Sequence, residues 1–138
     1  MSEKGGGINF GLLVLRLGIG AMSIYHGWPK LFGGPIAWKS IGMAMVMIGV
    51  GFWPMFWGFC AAVSEFIGGA CFAMGFVFRP ACALMAFTMF VATVFHLRHG
   101  DGLLVASHAL ELVILYVSLL IIGPGSIAMD RFFHIGKK

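Results

Sequence analysis

The chain predicts an all-α integral membrane four-helix bundle with a short interfacial or re-entrant helix after the first span. Three observations carry this. Of its 138 residues, 60% are hydrophobic and 10% charged, against roughly 25% charged in soluble domains. Four apolar runs approach the ~20 residues that cross a hydrocarbon core. Gly and Pro clusters separate them. No length remains for a soluble domain, so residues 1–138 read as one membrane domain.

The first span is expected over about 8–32. It holds Arg16 and closes on HGWPKLFGG, where Pro29 loosens the last turn and Gly33-Gly34-Pro35 ends it. Residues 36–51 are too short and interrupted to span. Ile41, Met45 and Ile48 recur at helical spacing, and Trp38 and Trp53 suit an aromatic belt. The second span covers about 53–78. Arg79-Pro80 predicts a tight turn with Pro80 opening the next helix. The third and fourth spans cover about 81–97 and 103–122, and Gly123-Pro124-Gly125 stops the last.

The first apolar run is too long for the core of a cleavable signal and no small-residue cleavage site follows it, so it reads as a retained span. Four spans put both termini on one side. Lys4, Arg79, Arg131, Lys137 and Lys138 fall there, and Lys30, Lys39 and Arg98 on the other. Five against three favours both termini in the cytoplasm. The net charge of +4 is dispersed, with no basic run for nucleic acid. Cys60 and Cys71 sit about 16 Å apart by helical rise, too far for a disulfide.

The candidate site is the set of charged and polar groups inside the apolar runs. Glu65 is the only charge in its run. A carboxylate at bilayer depth costs at least ~2.5 kcal/mol, so it requires a partner, a proton or a task. Depth and helical face predict Arg16 as its partner near the midplane. His108 and Glu111, i, i+3 neighbours on the fourth span, step outward from there. Gly20, Ser23, Gly27 and Lys30 share the Arg16 stripe, which His26 flanks. Thr93 and His96 are expected at the mouth. Glu65, Glu111 and His108 are the candidate proton-handling groups. Arg16, His26, Lys30, Thr93 and His96 are the candidate binding groups. A simpler reading assigns the same charges to helix register. His96-x-x-His99 offers two imidazoles, but no second close ligand pair accompanies them, so metal or haem is not expected.

The succession LRLGIGAMSIYHGWPKLFGG, AAVSEFIGGACFAMGFVFRPAC, HGDGLL and ALELVILYVSLLIIGPGSIAMD resembles the DoxX family of small four-span bacterial membrane proteins. That resemblance implies a quinone-linked or redox-associated membrane protein. It would map function to Arg16, His26, Lys30, Glu65, Arg79, Glu111 and Asp130, with Asp130 pairing to Arg16 or Arg79. The first expectation is therefore a quinone-interacting subunit of a redox system. The chain shows no redox centre of its own, so electrons would come from a partner protein or bound cofactor. The second is a non-catalytic anchor or assembly factor for a redox partner complex. The third is a transporter for a small anion or sulfur compound, which would require a homo-oligomer.

Overall fold

A computed structural model of the chain describes residues 3–133, and within these every regular element is helical. Lys137 and Lys138, counted above for topology, lie outside the described residues. Helix α1 runs Glu3–Phe32 and α2 Gly34–Gly42, prolonged by a 3-10 segment, Met43–Ile48. Helices α3 (Pro54–Val63) and α4 (Gly69–Met74) form one rod, joined by a π-helical turn at Ser64–Gly68. Helix α5 spans Phe78–His99, α6 spans Gly102–Ile122, and the short α7 is Met129–Phe132.

Four helical stretches are long and apolar enough to cross a membrane: Gly5–Phe32, Pro54–Met74, Phe78–His99 and Gly102–Ile122. The expected count and order hold, and the chain is a multi-pass membrane protein. Most large apolar side chains point outward, among them Leu104, Ile121 and Phe10, as expected where lipid rather than water is the solvent. The interior is built on Phe72, Phe78, Cys82, Met85, Tyr116 and Leu119, all buried. Phe72 stacks on Phe78 at 5.2 Å and meets Tyr116 edge-on at 5.3 Å.

Two boundaries differ from expectation. The second rod ends at Met74, not residue 78, because Gly75 (φ 66) and Val77 (φ 44) turn the chain in the left-handed region. Arg79 and Pro80 then lie inside the first turn of α5 rather than in the turn itself. The first crossing is also displaced. Gly27 lies against the backbone of Glu65 and Phe66, where a Cβ would come within 2.6 Å of the Phe66 nitrogen. Phe32, the last residue of α1, sits 6.1 Å ring to ring from Phe66. Phe32 is five residues past Gly27, so Pro54, where the α3–α4 rod begins, is still about 10 Å further along by helical rise. So α1 stops partway along the rod.

Helix α2 continues in the same direction beside α3. Gly42 faces Pro54 and Gly58 faces Trp38 so closely that a Cβ at either would sit 1.6 or 1.7 Å from a backbone oxygen. The segment expected to lie in the interface or to re-enter the membrane packs backbone to backbone on α3. It completes the path that α1 begins, with the break at Gly33-Gly34 (Gly34 φ 76). Broken helices inside a bundle are tolerated where protein covers the freed backbone. Here the Trp38 indole N–H donates to the Lys30 carbonyl at 3.0 Å.

Candidate functional site

The break in the first crossing places Lys30 over the π turn. Its Nζ donates to both carboxylate oxygens of Glu65, at 2.6 and 2.7 Å. The Glu65 side chain is 5% exposed and that of Lys30 35%. The pairing expected between Arg16 and Glu65 is not formed. Arg16 lies level with Gly75 and Glu65 level with Gly27. Eleven residues of α1 separate Arg16 from Gly27, about 16 Å by helical rise, which no arginine side chain spans. Lys30, with its flexible four-carbon stem, reaches back one turn instead.

The π turn decides which way the carboxylate points. A single π-helical turn inserts an extra residue's worth of rotation and is frequent at functional sites. Ser64 and Glu65 are consecutive on it and face different neighbours. Glu65 turns toward α1. Ser64 turns toward α5, where Thr88 donates to its oxygen at 3.0 Å. On that side Ser64 also lines an apolar cavity of about 440 Å³ between the rod and α5, together with Cys60 and Cys71. Ser64, Thr88 and this placement of the cysteines are not apparent from composition or spacing. The signal that bears on them is the small-residue run AAVSEFIGGA, which marks close packing without saying which residue faces which helix.

His26 lies one turn before Lys30 on α1. Its ring is 6.4 Å from that of His108 on α6, so these two expected site residues do come together. The seam where they meet is sparse: α1 and α6 approach each other far less than α5 and α6 do. The bridge across it is Ser23, whose hydroxyl meets the Tyr116 hydroxyl at 2.9 Å. His26 and His108 lie beyond this bridge and are both exposed.

The other expected members stand apart. Glu111 is on the exposed side of α6 rather than in the interior, and has no hydrogen-bond partner among the described residues. Thr93 is buried but donates to Met89 of its own helix at 2.8 Å. His96 closes the α5–α6 turn by pairing with Asp101 at 2.7 Å, and does not reach the other imidazoles. Among the described residues no three His, Cys, Asp or Glu side chains converge as metal ligands do.

Asp130 was expected to pair with Arg79 or Arg16. It caps α5 instead. Its carboxylate accepts from the Val77 and Phe78 N–H groups at 2.7 and 2.8 Å, and its own N–H donates to Gly75 at 2.9 Å. A β-branched residue in the left-handed region is strained, and these three bonds hold the turn containing Val77 in place. Arg79 is exposed. The carboxylate goes to the amides because they are the uncompensated positive end of α5.

Arg16 is the largest buried polar side chain, 1% exposed. Its Nη2 donates to the Ile127 carbonyl, while Nε and Nη1 have no partner among the described residues.

No curated protein and no solved structure matches the chain. The DoxX family profile matches residues 11–99, which contain Arg16, the Lys30–Glu65 pair, the π turn and all of α5. The α6 helix and the Gly-Pro-Gly-Ser and Asp130 segment lie beyond that match. Since the match covers more than half of a four-span membrane chain, this protein belongs to the DoxX family.

Proposed function

We propose that the chain is the quinone-interacting membrane component of a redox system, with its site at Lys30, Glu65, His26 and His108. The observation that carries this reading is the buried carboxylate held by a half-exposed ammonium at a helix break within the bundle. Ionisable groups at such depth are functional by default, and breaks in spanning helices are where membrane proteins bind polar groups.

The donor set suits a carbonyl head group. Two of the three Lys30 N–H groups go to Glu65, which leaves one to donate to a carbonyl oxygen. His26 and His108 stand at the seam between α1 and α6, the side open to lipid, where a lipid-soluble molecule would enter. A bound quinone would supply two-electron chemistry coupled to two protons. Lys30 orients the head group, Glu65 keeps Lys30 in place, and the imidazoles exchange protons with the surroundings. The electrons would come from a partner protein or a bound cofactor.

The test is quinone binding by the purified protein, read from extracted lipids by mass spectrometry and by quenching with a short-tailed quinone. Lys30→Met is expected to weaken binding at least about tenfold, by loss of a charge-assisted donor. If folded Lys30→Met and His26→Phe proteins both retain quinone as the parent does, the site is misplaced.

A second reading, an anchor for a redox partner complex, draws on a different observation. Ser107, Glu111, Ile114 and Ser118 form one face of α6, with Glu111 exposed. A carboxylate between two serines on an outer face suits a partner helix better than lipid. Under this reading Glu111→Leu disrupts co-purification of a partner, while Lys30→Met does not.

A further inference from the structure

At the other end of the bundle, beside the Gly75 turn, lies a cavity of about 720 Å³ that the quinone reading does not use. Arg16 forms part of its wall, and Arg131 and Ser126 line it as well. The remaining walls are mostly apolar, with Leu13, Leu17 and Phe132 prominent.

The charge balance of this cavity is one-sided. Arg16 is 1% exposed and carries two nitrogens without a partner among the described residues. Leaving donors of a charged group unsatisfied costs more than leaving neutral ones. The nearby carboxylate, Asp130, has both oxygens committed to the Val77 and Phe78 amides. Asn9 is also engaged, its side-chain oxygen accepting from the Ser126 N–H at 2.7 Å. Two guanidinium groups therefore line a space that contains no uncommitted carboxylate among the described residues, only the neutral hydroxyl of Ser126.

The Arg16 guanidinium lies close against Gly75. A Cβ there would lie 2.1 Å from Arg16 Nη1. The group is wedged under the segment leading into α7, at the end of the rod where headgroups lie. A fixed planar fork beside a second arginine is the arrangement that binds phosphoryl oxygens, and basic pockets between spanning helices hold anionic headgroups.

We propose that this cavity binds a phosphoryl-bearing anion, with Arg16 and Arg131 as its ligands. The apolar walls suit the acyl chain of an anionic phospholipid. A free phosphate group shares the same recognition chemistry without the chain. The site is independent of Lys30 and Glu65, so its failure and the failure of the quinone reading are separable.

The experiment uses the full chain, delipidated in detergent. Dihexanoyl phosphatidylglycerol, dihexanoyl phosphatidylcholine and inorganic phosphate are titrated in turn, and binding is read by native mass spectrometry and thermal shift. The expected result is retention of phosphatidylglycerol over phosphatidylcholine. Arg16→Met should weaken that retention at least about tenfold, and Arg131→Gln several-fold, by loss of charge-assisted bonds. Phosphate binding as tight as the lipid supports the site and identifies a free anion as its occupant. Much weaker phosphate binding identifies the lipid. Equal retention of the two lipids with no phosphate binding overturns the proposal. So does parental affinity in Arg131→Gln, an exposed position whose replacement leaves the fold intact even where Arg16→Met fails to fold.

Discussion

The bundle buries charge in two places and treats it in opposite ways. Near the break between α1 and α2, a lysine and a glutamate neutralise each other within 2.7 Å. Beside the Gly75 turn, Arg16 is as deeply buried but makes one hydrogen bond among the described residues, to a backbone carbonyl. The first arrangement is complete within the chain; the second is short of acceptors among the described residues. A complete pair is sensitive to removal of either member, because the survivor is stranded. An incomplete one gains from something brought to it.

The largest expected effect comes from prying the first region open. Gly27→Leu would drive a side chain into the Phe66 nitrogen, 2.6 Å from where its Cβ must sit. Overpacking against backbone costs about 3 kcal/mol or more, so thermal unfolding should lose cooperativity or fall sharply. A variant that melts like the parent would mean that α1 does not lean on the π turn.

Next is the pair itself. Lys30→Met strands Glu65 and should cost about 3 kcal/mol, the low end for a broken buried pair because Lys30 is partly exposed. Adding Glu65→Leu should restore most of it, giving a coupling energy well above 1 kcal/mol in a double-mutant cycle. Additive losses would show that the two charges act separately.

The Gly75 turn should respond less. Asp130→Ala removes two bonds to the start of α5 and releases the strained Val77 turn, at about 1–2 kcal/mol, the upper range for helix caps. Arg16→Met in delipidated detergent should cost less than Lys30→Met. It removes one hydrogen bond and relieves two unsatisfied donors, so its effect should stay within about 1 kcal/mol of the parent. A loss as large as that of Lys30→Met would erase the contrast between the regions.

The smallest effect concerns the exposed side of α6. Glu111→Gln should change stability by no more than about 0.5 kcal/mol, as is usual for surface positions. It should leave quinone retention unaltered, since Glu111 is exposed and makes no hydrogen bond among the described residues. A strong loss of retention would return Glu111 to the site.

Much of the architecture was legible before any coordinates. Four spans, their order and the helical segment after the first follow from run length and from Gly-Pro stops, which are local properties. The resemblance rested on the same runs. The partner of Glu65 was not legible. Placing each helix end at a common membrane surface put Arg16 and Glu65 at one depth. That assumption fails for α1, which ends short of Pro54 and leaves α2 to finish the path. Lys30 then looks like a surface lysine in sequence and is a buried carboxylate's partner in space. Likewise Asp130, an ordinary acidic residue in a polar tail, caps a helix that begins 52 residues earlier.

Composition and periodicity settle what each segment is: an apolar helix of spanning length, a turn, a lone intramembrane charge. Those are properties of neighbours along the chain and of the solvent they require. Which charge meets which depends on the axial offset between helices. That offset is set by close contacts at Gly27, Gly42 and Gly58 and by one π turn that rotates Glu65 toward α1. Such contacts exist only once distant segments pack. The tertiary structure alone therefore decided that Glu65 pairs with Lys30, and that Arg16 lies apart from it with no carboxylate partner among the described residues.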